Sequence, residues 1–331
     1  MASASPLPPF IKTVVHCLRP FRNTDPPHLA EIWRSQPPQR SMLQPISASL
    51  LELGVFSKMH FDPQGLIVST RDEVPVGFVH AGFGPNEEGT AIDTSLGTTY
   101  MLMLHNGEED QGLADRLLAA SEDYLRTRGV SVLYAGGIKP MNSFYLGLYG
   151  GSEIPGILDS NKLLRETCTK HGYRETSQIP ILQTDLKTFR PSLSRKVRQL
   201  RRETVIVETI DPVSSTWWES CVWGAMQRDL FQLVDKKEKR VVATASFWDV
   251  QPLSASWGVC TAGLFDLYVE PDWRRRGAAN YLLSEAFRKL HSRGVSTVEV
   301  QTMATNEAAL ALYDQLGFAE VDRGKVFRKD S

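Results

Sequence analysis

Apolar residues recur in two stretches of this chain with the same succession of strand and helix periods. In GLADRLLAASEDYLRTRGVSV (112–132) they return every three or four positions, which predicts an amphipathic helix. The run GAANYLLSEAFRKLHSRGVST (277–297) predicts a second such helix, with Leu282, Ala286 and Leu290 on its apolar face. Apolar runs flank both helices, so each stretch is expected to form a strand, a loop, a helix and another strand.

The two stretches also align residue by residue. Gly112 lies 165 positions before Gly277, and the tetrapeptide RGVS recurs at the same offset. At an offset of 164, NSFYLGLY (142–149) lies on NEAALALY (306–313), so a second helix is expected at both places. Two unrelated βαβ units would share a hydrophobic pattern, but not these identities in register, so we interpret the match as a duplicated domain.

Further elements are predicted at equivalent places in both copies. An early strand and helices precede a hairpin, which turns at 71–73 in the first copy and at 236–238 in the second. A last hairpin is expected at DRGK (322–325), and the first copy carries an insertion at 150–171. Hairpin strands combined with helical crossovers indicate a mixed sheet.

Composition excludes several classes of protein. The 331 residues include 37 Lys and Arg against 38 Asp and Glu, so nothing in the net charge attracts nucleic acid or an anionic membrane. The four cysteines show no metal-ligand spacing with the seven histidines, so no metal is expected. No membrane-spanning run and no leader at the N-terminus are apparent, which favours a cytoplasmic location.

The loop at 269–279, VEPDWRRRGAA, predicts an anion site. Pro271 ends the strand, and the small residues at 277–279 leave the first N–H groups of the next helix unobstructed. Arg274 and Arg276 add positive charge to the positive end of the helix dipole. This arrangement is typical of a site for phosphate or for two adjacent phosphates.

A second motif follows at NEAALALYDQLGF (306–318), where Asn306 begins a helix and Gly317 ends it. Together, V-x-P-x-x-R-x-x-G-x-A and N-x-x-A-x-x-L-Y-x-x-x-G-F resemble the GNAT superfamily of acyl-CoA-dependent N-acyltransferases. The resemblance covers residues 228–328 closely and the first copy more faintly, in a tandem arrangement similar to that of mycothiol synthase.

This resemblance implies an α/β fold of two tandem GNAT domains, each with a mixed, mostly antiparallel sheet, a splayed parallel strand pair and flanking helices. The expected domains are 1–185 and 204–331, joined by a basic linker at 186–203. That linker is interpreted as a solvated helix rather than as a nucleic-acid site, because no aromatic residues interleave its charges.

The resemblance also implies the site residues, all of them in the second copy. Acetyl-CoA is the expected acyl donor. The residues expected to bind it are Leu267, Tyr268, Val269, Arg274, Arg275, Arg276, Gly277, Ala278, Ala279 and Asn306. Tyr313 is expected near the thioester sulfur, where a phenol with a pKa of about 10 is protonated at neutral pH and can donate to the leaving thiolate. A packed aromatic residue is the competing interpretation.

The acceptor amine must also lose a proton. Asp266 and Glu299 are acids inside apolar strands, so each is a candidate base, and each is equally well explained as a hydrogen-bonded structural acid. Asp266 is slightly preferred.

The first copy has the same loop shape with the opposite charge. Glu109, Asp110 and Gln111 stand where the second copy has three arginines, with Glu108 beside them. Carboxylates repel a pyrophosphate, so the first copy is interpreted as a degenerate domain that does not hold CoA.

The sequence therefore predicts an N-acyltransferase whose second domain is catalytic and whose acceptor is a small-molecule or peptide amine. Neither nucleic acid nor a membrane is an expected partner, and a homodimer is left open. An acyl-CoA sensor without turnover and a transferase that uses aminoacyl-tRNA are the alternative hypotheses.

Overall fold

The computed structural model describes residues 16–108, 111–191, 194–224 and 226–330. In the first half, the strands are β1 (His16–Pro20), β2 (Leu66–Arg71), β3 (Val74–Pro85), β4 (Ile92–Leu104), β5 (Val132–Ala135), β6 (Ile157–Leu158) and β7 (Arg174–Asp185). The helices there are α1 (Pro26–Arg34), α2 (Ala48–Leu51), α3 (Gln111–Arg126) and α4 (Lys162–Lys170), and a π-helical turn at Glu52–Phe56 follows α2.

The second half begins with a helix inside the predicted linker. Its helices are α5 (Arg195–Glu203), α6 (Trp217–Trp223), α7 (Gln251–Trp257), α8 (Ala278–Ser292) and α9 (Glu307–Gln315). Its strands are β8 (Thr204–Ile210), β9 (Arg228–Asp235), β10 (Val241–Asp249), β11 (Thr261–Val269), β12 (Thr297–Gln301) and β13 (Ala319–Asp330). None of the helices in the described ranges has the length and apolar character that a membrane crossing requires.

All the strands form one sheet, in the order β1-β2-β3-β4-β5-β13-β7-β12-β11-β10-β9-β8, with β6 paired to β13. Most neighbours are antiparallel, and the two parallel pairs are β4 with β5 and β11 with β12. The pairing of β11 with β12 ends at Leu264, although β11 continues to Val269. The pairing of β4 with β5 likewise ends at Thr99, while β4 runs to Leu104. The predicted mixed sheet with splayed parallel pairs is confirmed.

The two halves exchange their last strands. Strand β7 of the first half pairs with β12 of the second, and β13 of the second half pairs with β5 of the first. The exchanged strands also pair with each other. One apolar cluster, which includes Trp33 and Tyr145 from the first half and Trp248 and Phe265 from the second, fills the junction. The halves thus share both a sheet and a core, and the boundaries 1–185 and 204–331 stay a prediction.

The alignment of the second helix was wrong. Segment 142–149 forms no helix, whereas α4 begins after Asn161, whose side chain accepts a hydrogen bond from the N–H of Leu164 at 3.2 Å. Asn306 caps α9 in the same way, through the N–H of Ala309 at 3.2 Å. Asn161 and Gly172 both lie 145 positions before Asn306 and Gly317. By this offset, the counterpart of Tyr313 in the first half is Cys168, and the insertion precedes the helix.

The hairpin predicted at 322–325 is also wrong. Strand β13 runs through this segment without a turn, and Gly324 pairs with Leu158 on one side and Ile179 on the other. A Cβ atom at Gly324 would lie 2.3 Å from the carbonyl oxygen of Pro155. Glycine is needed here because the insertion approaches the strand closely, and not because the chain reverses.

Candidate functional site

The N-terminus of α8 is open. Gly277 precedes the helix with a φ of +88°, and no side chain among the described residues caps the first turn. A Cβ atom at Gly277 would meet no atom closer than 3.9 Å, and its nearest neighbours there are Leu200 and Lys196 of α5. The first N–H groups of α8 are therefore free to bind an anion, at the positive end of the helix dipole.

Three exposed arginines surround this end of the helix. The Arg276 guanidinium lies 4.2 Å from the ring centre of buried Trp273 and 3.5 Å from the Glu203 carboxylate. Arg274 donates from Nε to the carbonyl oxygen of Val269 at 2.9 Å. Arg275 has a φ of +58°. The loop is thus held by its own contacts with the positive charges outward, which favours phosphate binding before any ligand arrives.

Strand β11 contains a β-bulge just before this loop. Between Thr244 and Ser246 the register with β10 shifts, so that Ala245 faces both Asp266 and Leu267, and Asp266 takes a φ of +52°. A bulge bends its strand and redirects side chains. Here it lies where β11 has already left β12, and Leu267, Tyr268 and Val269 follow on the diverging segment.

The two predicted bases have different surroundings. Asp266 is 54% exposed and forms an ion pair with Lys139 of the first half. Glu299 is inaccessible to solvent, and its two oxygens accept hydrogen bonds from the N–H of Ser152 and from Nε2 of Gln183, both at 2.6 Å. Burial raises the pKa of Glu299, and these hydrogen bonds oppose that rise. Glu299 therefore fixes the insertion to β12, and Asp266 is the one that faces the cavity described below.

Tyr313 lies on α9, and Asn306 precedes that helix as its N-cap. The ring of Tyr313 is buried and packs 5.4 Å from the ring of Phe318, measured between centres. Burial raises the pKa of the Tyr313 phenol, and the nearby Glu153 carboxylate raises it further. The phenol thus stays protonated over the whole neutral range. Asn306 is exposed and is occupied with capping α9.

Sequence reasoning missed Glu153. This residue belongs to the insertion of the first half, and its backbone carbonyl accepts a hydrogen bond from Nε2 of Gln301 on β12 at 2.8 Å. Burial raises the pKa of Glu153 to about 7, with Lys139 lowering it and Asp266 raising it. In the sequence, Glu153 stands out only as the single acid in the glycine-rich segment GGSEIPGIL (150–158). The second copy lacks this segment.

A cavity of about 230 Å³ at the junction of the two halves has Glu153 and Asp266 in its wall. From the first half it is lined by Lys139, Pro140, Asn142, Ser143, Leu146, Glu153 and Ile154, and from the second by Thr216, Trp218, Glu219, Val222, Trp223 and Asp266. Most of this lining is apolar, with carboxylates at a few places. Such a composition is typical of a small-ligand site.

Comparison with known proteins agrees with this geometry. The model of the acetyltransferase (GNAT) family matches residues 196–318. A ribosomal protein bS18-alanine N-acetyltransferase of Salmonella typhimurium is 46% identical over 59 residues, which span 18% of this chain and 40% of that enzyme. The chain thus matches less than half the length of this curated relative.

Solved structures match over nearly the whole chain. A tandem GNAT protein from the clavulanic acid biosynthesis pathway has a TM-score of 0.67 at 13% identity, over 96% of this chain and 98% of that one. A GCN5-related N-acetyltransferase from Sphaerobacter thermophilus has a TM-score of 0.64 at 16% identity, over 95% of each chain. The family match thus covers most of the second half of the chain. The two halves of the chain have the tandem GNAT fold.

The first half has a different loop at the equivalent helix. Buried Glu108 forms an ion pair with Arg71 of β2, and its carboxylate lies 3.4 Å from Nε2 of His16 of β1. Glu109, Asp110 and the Gln111 side chain lie outside the described residues. An acid therefore occupies the approach to α3, and its charge is balanced from within the fold.

Two further side chains of this half form hydrogen bonds with the backbone of its own loops. The Tyr149 hydroxyl accepts a hydrogen bond from the N–H of Leu158 at 2.7 Å, and Asn142 accepts one from the N–H of Phe144 at 3.0 Å. Across both halves, the described residues contain no group of three His, Cys, Asp or Glu side chains placed to hold a metal ion.

Proposed function

We propose that the protein is an acetyl-CoA-dependent N-acetyltransferase that acylates an amine by direct attack, with the second half as the catalytic domain. The observation that carries the proposal is the open, uncapped N-terminus of α8 beside three exposed arginines. It lies at the end of the strand that has left its parallel neighbour. This is a site for two adjacent phosphates next to a free strand edge.

The residues present fit CoA along its length. The backbone N–H groups from Arg274 to Ala279 would hold the pyrophosphate, and the backbone of Leu267–Val269 would pair with the pantetheine arm. Asn306 would lie near the end of that arm. CoA supplies the activated acetyl group as a thioester. The chain's own contribution is to place that group in the gap between β11 and β12.

Tyr313 is proposed as the general acid. It lies on α9, packed in the core of the second half, and its phenol stays protonated because burial raises its pKa. A protonated group near the sulfur can donate as the C–S bond breaks. The relative from Salmonella typhimurium is named for acetylation of an alanine amine, which supports an amine as the acceptor class here.

Titration calorimetry with CoA tests the proposal. The wild-type chain should bind one CoA, and Gly277→Glu should weaken binding by at least about 100-fold, because a carboxylate would enter the phosphate site. Gly294→Glu is the matched control. Gly294 lies beyond the other end of α8 with a φ of +95°, and a Cβ atom there meets nothing within 4 Å. A glutamate at position 294 therefore introduces the same backbone strain as one at position 277, but away from the proposed phosphate site.

Release of free thiol from acetyl-CoA in the presence of an amine panel tests turnover. Unchanged CoA affinity in Gly277→Glu would contradict the site. Two equivalent CoA sites would contradict the degenerate interpretation of the first half. Tight CoA binding without thiol release for any amine would instead indicate an acyl-CoA sensor.

A further inference from the structure

The cavity between the halves contains an acid, Glu153, whose carboxylate has no partner in the described part of the chain. Within the residues that the structure describes, no donor makes a hydrogen bond or ion pair with the Glu153 carboxylate. Its backbone is nevertheless fixed, because Gln301 binds the carbonyl oxygens of Gly150 and Glu153 at 3.0 and 2.8 Å. Glu299 holds the N–H of Ser152 next to it. A firmly positioned carboxylate that lines a cavity and has no partner among the described residues is a candidate for contact with a ligand.

The two other acids near the reacting region are already occupied. Both oxygens of Glu299 accept hydrogen bonds, and Asp266 is held by Lys139. Glu153 is therefore the carboxylate best able to accept a new hydrogen bond in the cavity. Its charge also raises the pKa of the Tyr313 phenol, and it shares the cavity wall with Asp266 on the diverging segment of β11.

Resting on the proposed acetyl transfer, we propose that Glu153, supplied by the first half, accepts the proton of the acceptor amine. We propose further that this acceptor is a compact primary amine with an apolar or aromatic body. The active site is then composite: the second half binds the acyl donor, and the first half supplies the base.

The shape and lining of the cavity select this acceptor class. A volume of about 230 Å³ lies below the range of roughly 300–1,000 Å³ that is typical of pockets for drug-sized ligands. Trp218 and Trp223 of the second half line it, together with Leu146 and Ile154 of the first. Aromatic faces attract both an apolar body and a cationic head.

The proton steps balance. The acceptor ammonium gives one proton to the Glu153 carboxylate, and the nitrogen lone pair then forms the C–N bond with the acetyl carbon. The C–S bond breaks with its electron pair on sulfur, and Tyr313 donates its phenolic proton to that sulfur. Tyr313 regains a proton from the new amide nitrogen, and Glu153 releases its own to water. The sum is one amide, one thiol and one proton.

The charged groups around Glu153 set its pH dependence. Lys139 and Asp266 line the same cavity and form an ion pair; Lys139 lowers the pKa of Glu153, and Asp266 raises it. The Tyr313 phenol is neutral, and Glu219 is paired with Arg228. With a pKa of about 7, Glu153 is half ionised at neutral pH and becomes a competent base above it. Activity should therefore rise between about pH 6 and pH 8.

Glu153→Gln tests the proposal, because it keeps the shape of the side chain and removes the base. We expect kcat/KM for the amine to fall by roughly 10²- to 10⁴-fold, with CoA affinity changed by less than about threefold. The activity rise between pH 6 and pH 8 should vanish, whereas Glu153→Asp should keep it with a smaller loss. Glu166→Gln, at an exposed glutamate of the same half, is the control and should leave activity unchanged.

A panel of 2-phenylethylamine, tryptamine, putrescine and an alanine-led tetrapeptide tests the acceptor class. The aromatic monoamines should have the highest kcat/KM. Preference for the tetrapeptide or putrescine would overturn the acceptor class, and wild-type activity and pH profile in Glu153→Gln would overturn the base. Both results differ from failure of the proposed function, in which the wild-type chain would bind no CoA or release no thiol.

Discussion

Trp273 and Glu108 occupy equivalent positions in the two halves, each buried at the base of the loop before the long helix. In the second half, Trp273 anchors the loop by packing and supports the Arg276 guanidinium at 4.2 Å. In the first half, Glu108 anchors it through Arg71 and His16. The same loop is thus anchored in two ways. In the second half an aromatic ring anchors it and the arginines stay exposed, whereas in the first half an acid anchors it by pairing with an arginine.

This difference separates fold from ligand binding. Both halves keep the strand, the loop, the helix and the parallel strand, because these depend on apolar periodicity and turn geometry. Phosphate binding depends on the charges that the loop presents, and these can change without harm to the fold. Under our proposals, the half that lost the phosphate loop still contributes Glu153 to the composite site.

The largest expected effect contrasts Tyr313 with its counterpart Cys168. Tyr313→Phe keeps the ring and removes a hydroxyl that has no hydrogen-bond partner among the described residues. If this hydroxyl protonates the thiolate, kcat should fall by roughly 10²- to 10⁴-fold, and CoA affinity should change little. Turnover assays and calorimetry on the same preparation measure both quantities.

Cys168→Ala provides the matched change in the other half. Cys168 is fully buried, so this variant should lose about 1 kcal/mol of stability and keep its kcat. A wild-type kcat in Tyr313→Phe, with only a small change of melting temperature, would show that Tyr313 is a core residue and nothing more.

A smaller effect is expected when the loop of the second half is given the charge of the first. Arg275→Asp introduces the residue that stands at the equivalent position, Asp110, and Asp tolerates a positive φ such as the +58° found here. Reversal of one charge at an exposed phosphate site should weaken CoA binding by about tenfold at low salt, and by less at 0.5 M salt because ions screen it.

The control for this change is Arg288→Asp, on an exposed turn in the middle of α8. It alters the net charge equally but lies away from the helix N-terminus. Equal loss of CoA affinity in both variants would mean that overall charge, and not the loop, determines binding.

The comparison also shows what the sequence could predict. The hairpins at 71–73 and 236–238, the order of elements and the phosphate loop at Gly277 all depend on neighbours in the chain, and each of these elements is present in the structure. The role of the loop as the CoA site stays a proposal. Local patterns misled twice. The match of Asn142 to Asn306 concealed the true cap at Asn161, which lies at the correct distance from its glycine, and the turn residues of DRGK (322–325) lie inside strand β13.

Features that depend on distant contacts could not be predicted. The exchange of β7 and β13 is a choice among possible strand partners, and each strand would satisfy its hydrogen bonds equally well in its own half. Glu153 acquires its raised pKa from burial at the junction of the two halves, and the charge of Asp266, more than 100 positions away, raises it further. A single acid in a glycine-rich insertion gives no sign of that burial.

The smallest expected effect concerns the ionic anchor itself. Glu108→Gln keeps the side-chain shape but removes the charge that Arg71 balances, and Arg71, at 45% exposed, is then solvated by water. The variant should therefore lose only about 1 kcal/mol of stability, since a partly exposed ion pair contributes no more than that. This corresponds to a drop of about 2–4 °C in melting temperature, measurable by calorimetry. CoA stoichiometry should stay at one, because removal of one carboxylate does not supply the arginines that the loop lacks. A second CoA site in Glu108→Gln would mean that this single buried acid, and not the whole loop, prevents CoA binding by the first half.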